Sequence, residues 1–191
     1  LLGFPFDAPK PWRTEVVGNP VRPQILEGDA ARLRTKYGAP DGIPVLLVLG
    51  GSSGSARLNR LIAETRGALL PDISIIHQTG PMNAVDNPGL PGYSPMPFLN
   101  TETLADAYAA ADLVVSRDAA NTLTELAATR NAPILTPLLT LGSRADPPPI
   151  ATRLPADGAA VPSPAPTPTA VALPTDLRAP PRLATPGDGG P

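Results

Sequence analysis

The chain has 191 residues, enough for one ordinary domain with extra chain at its ends. Its 15 basic and 17 acidic residues leave a net charge of −2, so no nucleic-acid surface is expected. It has no cysteine and a single histidine, which excludes disulfides, thiolate metal sites and a cysteine nucleophile and leaves little for a metal cluster or a histidine-based triad.

Residues 1–23 read as extended chain, with Pro5, Pro9, Pro11, Pro20 and Pro23 as breakers. Residues 1–13 are a lead-in on this reading, and the folded domain spans 14–160. Ile25–Tyr37 predicts a short helix with a charged face. Pro44–Leu49 predicts a strand without polar alternation, as suits a strand covered on both sides. A small flexible turn follows, Gly50-Gly51-Ser52-Ser53-Gly54-Ser55. Leu58, Leu61, Ile62 and Leu69 then mark a helix over Ser55–Leu70. Ile73–His77 predicts a second strand, with His77 structural at its end. Gly80–Pro97 is rich in Pro, Gly and Asn and reads as a loop, with a short strand over Met96–Leu99. Thr103–Ala110 predicts a helix capped by Thr101 or Thr103. Leu113–Ser116 predicts a strand, Ala119–Thr129 a helix and Pro133–Pro137 a last strand. Thirteen of the 28 prolines lie from Pro147 onward, so 161–191 is expected to be an irregular, disordered Pro-rich tail. No run of 18 apolar residues predicts a membrane-spanning helix, and no basic, then apolar, leader opens the chain.

Strands alternating with helices imply an α/β fold with a Rossmann-like parallel sheet. Ligands of such sheets sit at the carboxyl ends of the strands. Three segments fall on that edge: the Gly50–Ser55 turn, Phe98–Asn100, and the turn from Ser116 into the helix carrying Glu125. A strand, a glycine turn and a helix together present free backbone N–H groups to an anion. The turn is not a Walker A loop, because no Gly-Lys-Ser/Thr follows. It also departs from Gly-x-Gly-x-x-Gly, keeping only the spacing of Gly51 and Gly54. Taken by itself, it fits a phosphate site and a tight turn with no ligand about equally.

Six segments in this order resemble the MurG family, the N-acetylglucosaminyltransferases that convert lipid I to lipid II in peptidoglycan synthesis. They are VVGNPVR (16–22), VLLVLGGSSGSARLN (45–59), IIHQTG (75–80), FLNTETLADAYAAADLVVSR (98–117), NTLTELAA (121–128) and PILTPL (133–138). The resemblance implies one half of a GT-B glycosyltransferase, the C-terminal domain that binds UDP-N-acetylglucosamine. It implies an inverting transfer with no tightly bound metal and no cofactor, and a cytoplasmic enzyme peripheral to the inner face of the membrane. Carried over by motif, Ser52 and Ser53, between Gly51 and Gly54, would meet the diphosphate, with Arg22 nearby. Phe98 and Leu99 would border the uracil, the Leu99 backbone reading its edge. Glu125 would accept the ribose hydroxyls. Read without the resemblance, Arg22 is a solvated linker charge, Ser52 and Ser53 shape a turn, Glu125 is a surface ion-pair partner and Phe98 belongs to the core.

The same resemblance marks departures. The family's acceptor-binding half, with its membrane-facing patch and general base, has no counterpart here, so no catalytic residue is assigned. This chain alone is expected to be inactive, or to pair with a separate acceptor domain. Where the family has a sugar-binding Gln and, in the same motif, an Asn, this chain has Pro148 and Ala151. Ala119 replaces a glycine of the turn after the fourth strand, and Asp118 puts a negative charge beside it. The alternatives are a non-catalytic nucleotide-binding or interaction module, or a degenerate relic.

Overall fold

The computed structural model describes residues 15, 17–83, 85, 89–117, 120–129, 133–136 and 161–162. Every residue of β1 (Val45–Leu49) is buried. Successive side chains of a strand point to opposite sides, and here both sides are covered. Val45, Leu47 and Leu49 join one core with Ile25, Leu33, Tyr108 and Leu126. Leu46 and Val48 join a second core with Leu58, Ile62 and Ile75. A sheet between two helical layers explains why the run carries no polar alternation.

β2 (Ser74–Gln78), β3 (Tyr93–Met96), β4 (Leu113–Arg117), β5 (Pro133–Thr136) and β6 (Val161–Pro162) complete a sheet of six strands among the described residues. Its order is β3-β2-β1-β4-β5-β6, and each neighbouring pair is parallel. The expected Rossmann-like α/β architecture is therefore present. The winding reverses between β1 and β4, which opens a crevice at their carboxyl ends.

The helices are α1 (Ala30–Tyr37), α2 (Ala56–Leu69), α3 (Thr101–Ala110) and α4 (Ala120–Ala128). Asp29 caps α1 by accepting the Ala31 and Arg32 N–H groups, and Ser55 caps α2 through Leu58. Asp106 of α3 anchors α1: it receives two bonds from Arg32, at 2.6 and 2.7 Å, and the Asp29 N–H at 2.8 Å. Those hydrogen bonds hold its carboxyl below the usual range. No helix among the described residues is long and apolar enough to cross a membrane.

Most element ends shift by a residue or two from the sequence reading, and four differences have a physical reason. The single helix over Ile25–Tyr37 is a 3-10 turn, Pro23–Glu27, followed by α1. The break falls at Gly28, where a Cβ would overlap the Ala105 carbonyl. The third strand is Tyr93–Met96 rather than Met96–Leu99. Pro95 argues against a strand in sequence, but β3 is an edge strand and tolerates a missing N–H. The cap of α3 is neither threonine but Asn100, which accepts the Thr103 N–H at 2.8 Å. Val161 and Pro162 pair with Ile134 and Leu135 just past the expected end of the domain at 160. That position is again an edge, where proline is admitted. The rest of 137–191 lies outside the described residues.

Candidate functional site

A cavity of about 940 Å³ opens at the carboxyl ends of β1 and β4. Arg22, Gly51, Ser52, Ser53, Phe98, Leu99 and Glu125 line it. Gly54, the eighth residue singled out from sequence, stands behind the wall and is buried.

The turn after β1 is fixed by main-chain contacts. The Gly50 N–H donates to the Gln78 carbonyl at 3.2 Å, and the Gly54 N–H to the Gly51 carbonyl at 3.0 Å. Gly54 has φ +79°, and a Cβ there would overlap the Thr79 carbonyl oxygen. Opposite it, a Cβ on Gly80 (φ +91°) would overlap the Gly54 Cα. Two backbones touch here, which only glycine at both positions allows. The turn then runs into the N-terminus of α2, capped by Ser55, where the helix dipole favours an anion. Ser52 and Ser53 are exposed beside it.

The opposite corner is made of side chains. Arg22 donates through Nε (3.0 Å) and Nη2 (2.8 Å) to Oε1 of Glu125, and through Nη1 to the Thr101 hydroxyl at 2.9 Å. The Tyr108 hydroxyl donates to Oε2 of Glu125 at 3.2 Å. Burial, and then the Glu125 carboxylate, push the Tyr108 phenol far above its ordinary range, so it stays a neutral donor. Glu125 is buried, whereas the Arg22 side chain is 47% exposed. Three of the carboxylate's roughly four acceptor directions are thus used. Asn19 holds the chain before Arg22 against α4 through Asn121 at 2.7 Å. The ion pair read as an alternative for Glu125 exists, but it faces the cavity and joins two residues that the resemblance assigns to one ligand.

Phe98 is exposed, at 61%, and Leu99 is buried. Phe98 is therefore not a core residue. His77 is fully buried and does not line the cavity. Its Nδ1 lies 3.0 Å from the Tyr93 hydroxyl and its Nε2 3.1 Å from Oδ1 of Asn59. Burial, reinforced by the Arg66 charge, lowers its pKa to about 4. Asn59 in turn donates to the Thr79 carbonyl at 3.0 Å, the atom packed against Gly54.

Sequence reasoning missed Gln78 and Tyr108, both of which line the cavity. Position alone offered a signal for Gln78, which ends a strand on the ligand-binding edge. Among the described residues no group of three His, Cys, Asp or Glu side chains suits a metal ion. Asp118, Ala119, Pro148 and Ala151 lie outside the described residues.

The family model described as glycosyltransferase family 28 C-terminal domain matches residues 45–141. The chain is 42% identical over 133 residues to a protein of Mycolicibacterium paratuberculosis named UDP-N-acetylglucosamine–N-acetylmuramyl-(pentapeptide) pyrophosphoryl-undecaprenol N-acetylglucosamine transferase, covering 65% of this chain and 32% of that protein. A protein of the same name from Nocardia farcinica is 44% identical over 122 residues, covering 60% and 32%. Another from Clostridium perfringens is 37% identical over 133 residues, covering 69% and 37%. The chain thus spans about a third of the length of the curated relatives it matches. The crystal structure of Acinetobacter baumannii MurG aligns with 70% of this chain and 39% of its own, at 26% identity and a TM-score of 0.48.

Proposed function

The chain belongs to the glycosyltransferase family 28 C-terminal domain family, and from that premise we propose that it is the donor-binding half of a MurG-like GT-B glycosyltransferase. The donor is UDP-N-acetylglucosamine, the sugar nucleotide in the relatives' name. The acceptor is lipid I, bound by a second domain that supplies the membrane contact and the general base. The enzyme works in the cytoplasm at the inner face of the membrane.

The observation that carries this reading is the meeting of three unlike surfaces around one cavity. A backbone turn rich in glycine and serine, the Phe98–Leu99 edge and the Glu125 carboxylate line it together. They suit, in turn, a diphosphate, a base and a ribose diol. Ribose hydroxyls donate to Glu125 in place of some of its present partners. Arg22, half exposed, is then free to swing to the diphosphate. In the transfer, the acceptor hydroxyl attacks C1 of the sugar and UDP leaves with the bonding pair. The turn and Arg22 stabilise the charge that builds on that diphosphate. Glu125 is the one carboxylate among the described cavity residues. Held by Arg22 and Tyr108, it is a binding group rather than the base.

Calorimetric titration of the full chain with UDP and UDP-N-acetylglucosamine tests this. Saturable binding that weakens by about tenfold or more in Glu125→Gln supports it. No binding by the unaltered chain refutes it.

A further inference from the structure

Gln78 ends β2 and is buried, yet its amide reaches two walls of the cavity at once. Nε2 donates to the Gly51 carbonyl at 2.9 Å, and Oε1 accepts the Leu99 N–H at 3.3 Å. Its own main-chain carbonyl accepts the Gly50 N–H. One residue therefore ties the turn after β1 to the segment after β3. The two partners also fix which way the amide faces, because Gly51 offers an acceptor and Leu99 a donor.

Peptide units are planar, and none among the described residues is cis. Fixing the Gly51 carbonyl therefore fixes the Ser52 N–H, which points the opposite way from it. Fixing the Leu99 N–H likewise turns the Phe98 carbonyl away from Gln78. One brace orients a donor on the glycine turn and an acceptor on the base edge, and it sets the span between them. A fixed backbone acceptor matches a base whose ring N3 carries a proton, as in uracil. It opposes a base whose N3 is a bare lone pair, as in cytosine.

Resting on the nucleotide-binding reading above, we propose that Gln78 is the positioning residue that sets base selectivity, favouring an N3-protonated pyrimidine by locking the Phe98–Leu99 peptide in register with the diphosphate turn. Few other side chains can replace it. Methionine has the reach but pairs with neither partner. Glutamate keeps the acceptor for Leu99 but sets an oxygen against the Gly51 carbonyl and adds a charge near the diphosphate.

The test is titration of the full chain with UDP, CDP and inorganic pyrophosphate, beside Gln78→Met and Gln78→Glu. The unaltered chain is expected to prefer UDP over CDP by about tenfold or more. Gln78→Met brings that ratio towards one. Gln78→Glu keeps the ratio but binds all three ligands more weakly, a split that general loosening of the fold would not produce. Should Gln78→Met lose its cooperative melt, Gln78→Asn, too short to span both partners, takes its place with the same expected loss of ratio. A folded Gln78→Met or Gln78→Asn that keeps the preference overturns the proposal, as does a Gln78→Glu that loses it or an unaltered chain that binds UDP and CDP alike. An unaltered chain that binds none of the three overturns the nucleotide-binding reading as well.

Discussion

On one side of the cavity the turn after β1 is held by main-chain groups, with Gly54 and Gly80 in direct contact and Gln78 bonded across. On the other side the same cavity is bounded by long side chains, Arg22 from before the first helix and Tyr108 and Glu125 from α3 and α4. The first wall is fixed by glycine contacts and main-chain bonds. The second can exchange partners, because Arg22 is half exposed and its bonds to Glu125 are ones a diol can replace. On the proposed reading, a wall fixed by main-chain contacts facing one made of exchangeable side-chain bonds suits a nucleotide that is bound and released.

The contrast is sharpest if the rigid wall is broken first. Gly80→Ala forces a Cβ into the Gly54 backbone at positive φ, and should cost upwards of about 3 kcal/mol in denaturant unfolding. A smaller loss would mean the two backbones separate easily. The layer behind that wall responds to acid. His77 is neutral when folded, its pKa lowered to about 4 from an ordinary 6.5. Between those values the unfolded chain binds the extra proton. Stability is therefore full above about pH 6.5 and falls as pH drops towards 4, by at most about 1.4 kcal/mol per pH unit. His77→Phe should flatten that limb in a pH series of thermal melts.

The adjustable wall should yield less. Arg22→Ala leaves a buried carboxylate with Tyr108 as its remaining described partner and is expected to cost about 1–2 kcal/mol. UDP should restore part of it by binding the folded state. A variant as stable as the parent would mean that water replaces Arg22 freely. Ser52→Ala, on an exposed turn, should change stability by no more than about 0.5 kcal/mol. It separates binding from folding: any loss it causes should appear in UDP affinity alone.

The two walls also differed in how far the sequence disclosed them. A backbone seat needs glycine where chains touch, and Gly54 marks one half of that contact within a few residues of the strand that precedes it, although the turn by itself fits a phosphate site and an unliganded turn equally. β1 and β2 were plain for a related reason, since burial on both sides demands unbroken apolar runs. The side-chain wall is non-local. Arg22 and Glu125 are separated by 103 positions, and nothing near either residue shows that they meet. Resemblance placed both at one ligand, but not on each other. Tyr108 sits in a helix of mostly apolar residues, and its hydroxyl gains a role only through Glu125. β3 was misplaced because Pro95 reads as a breaker until its edge position is known.

Amide chemical-shift mapping by NMR during a UDP titration asks directly whether this cavity holds the nucleotide. Saturable shifts concentrated at Gly51–Ser53, at Phe98–Leu99 and around Glu125 are the predicted result. Shifts centred on another face, or none at millimolar UDP, would contradict the assignment of this cavity as a donor site.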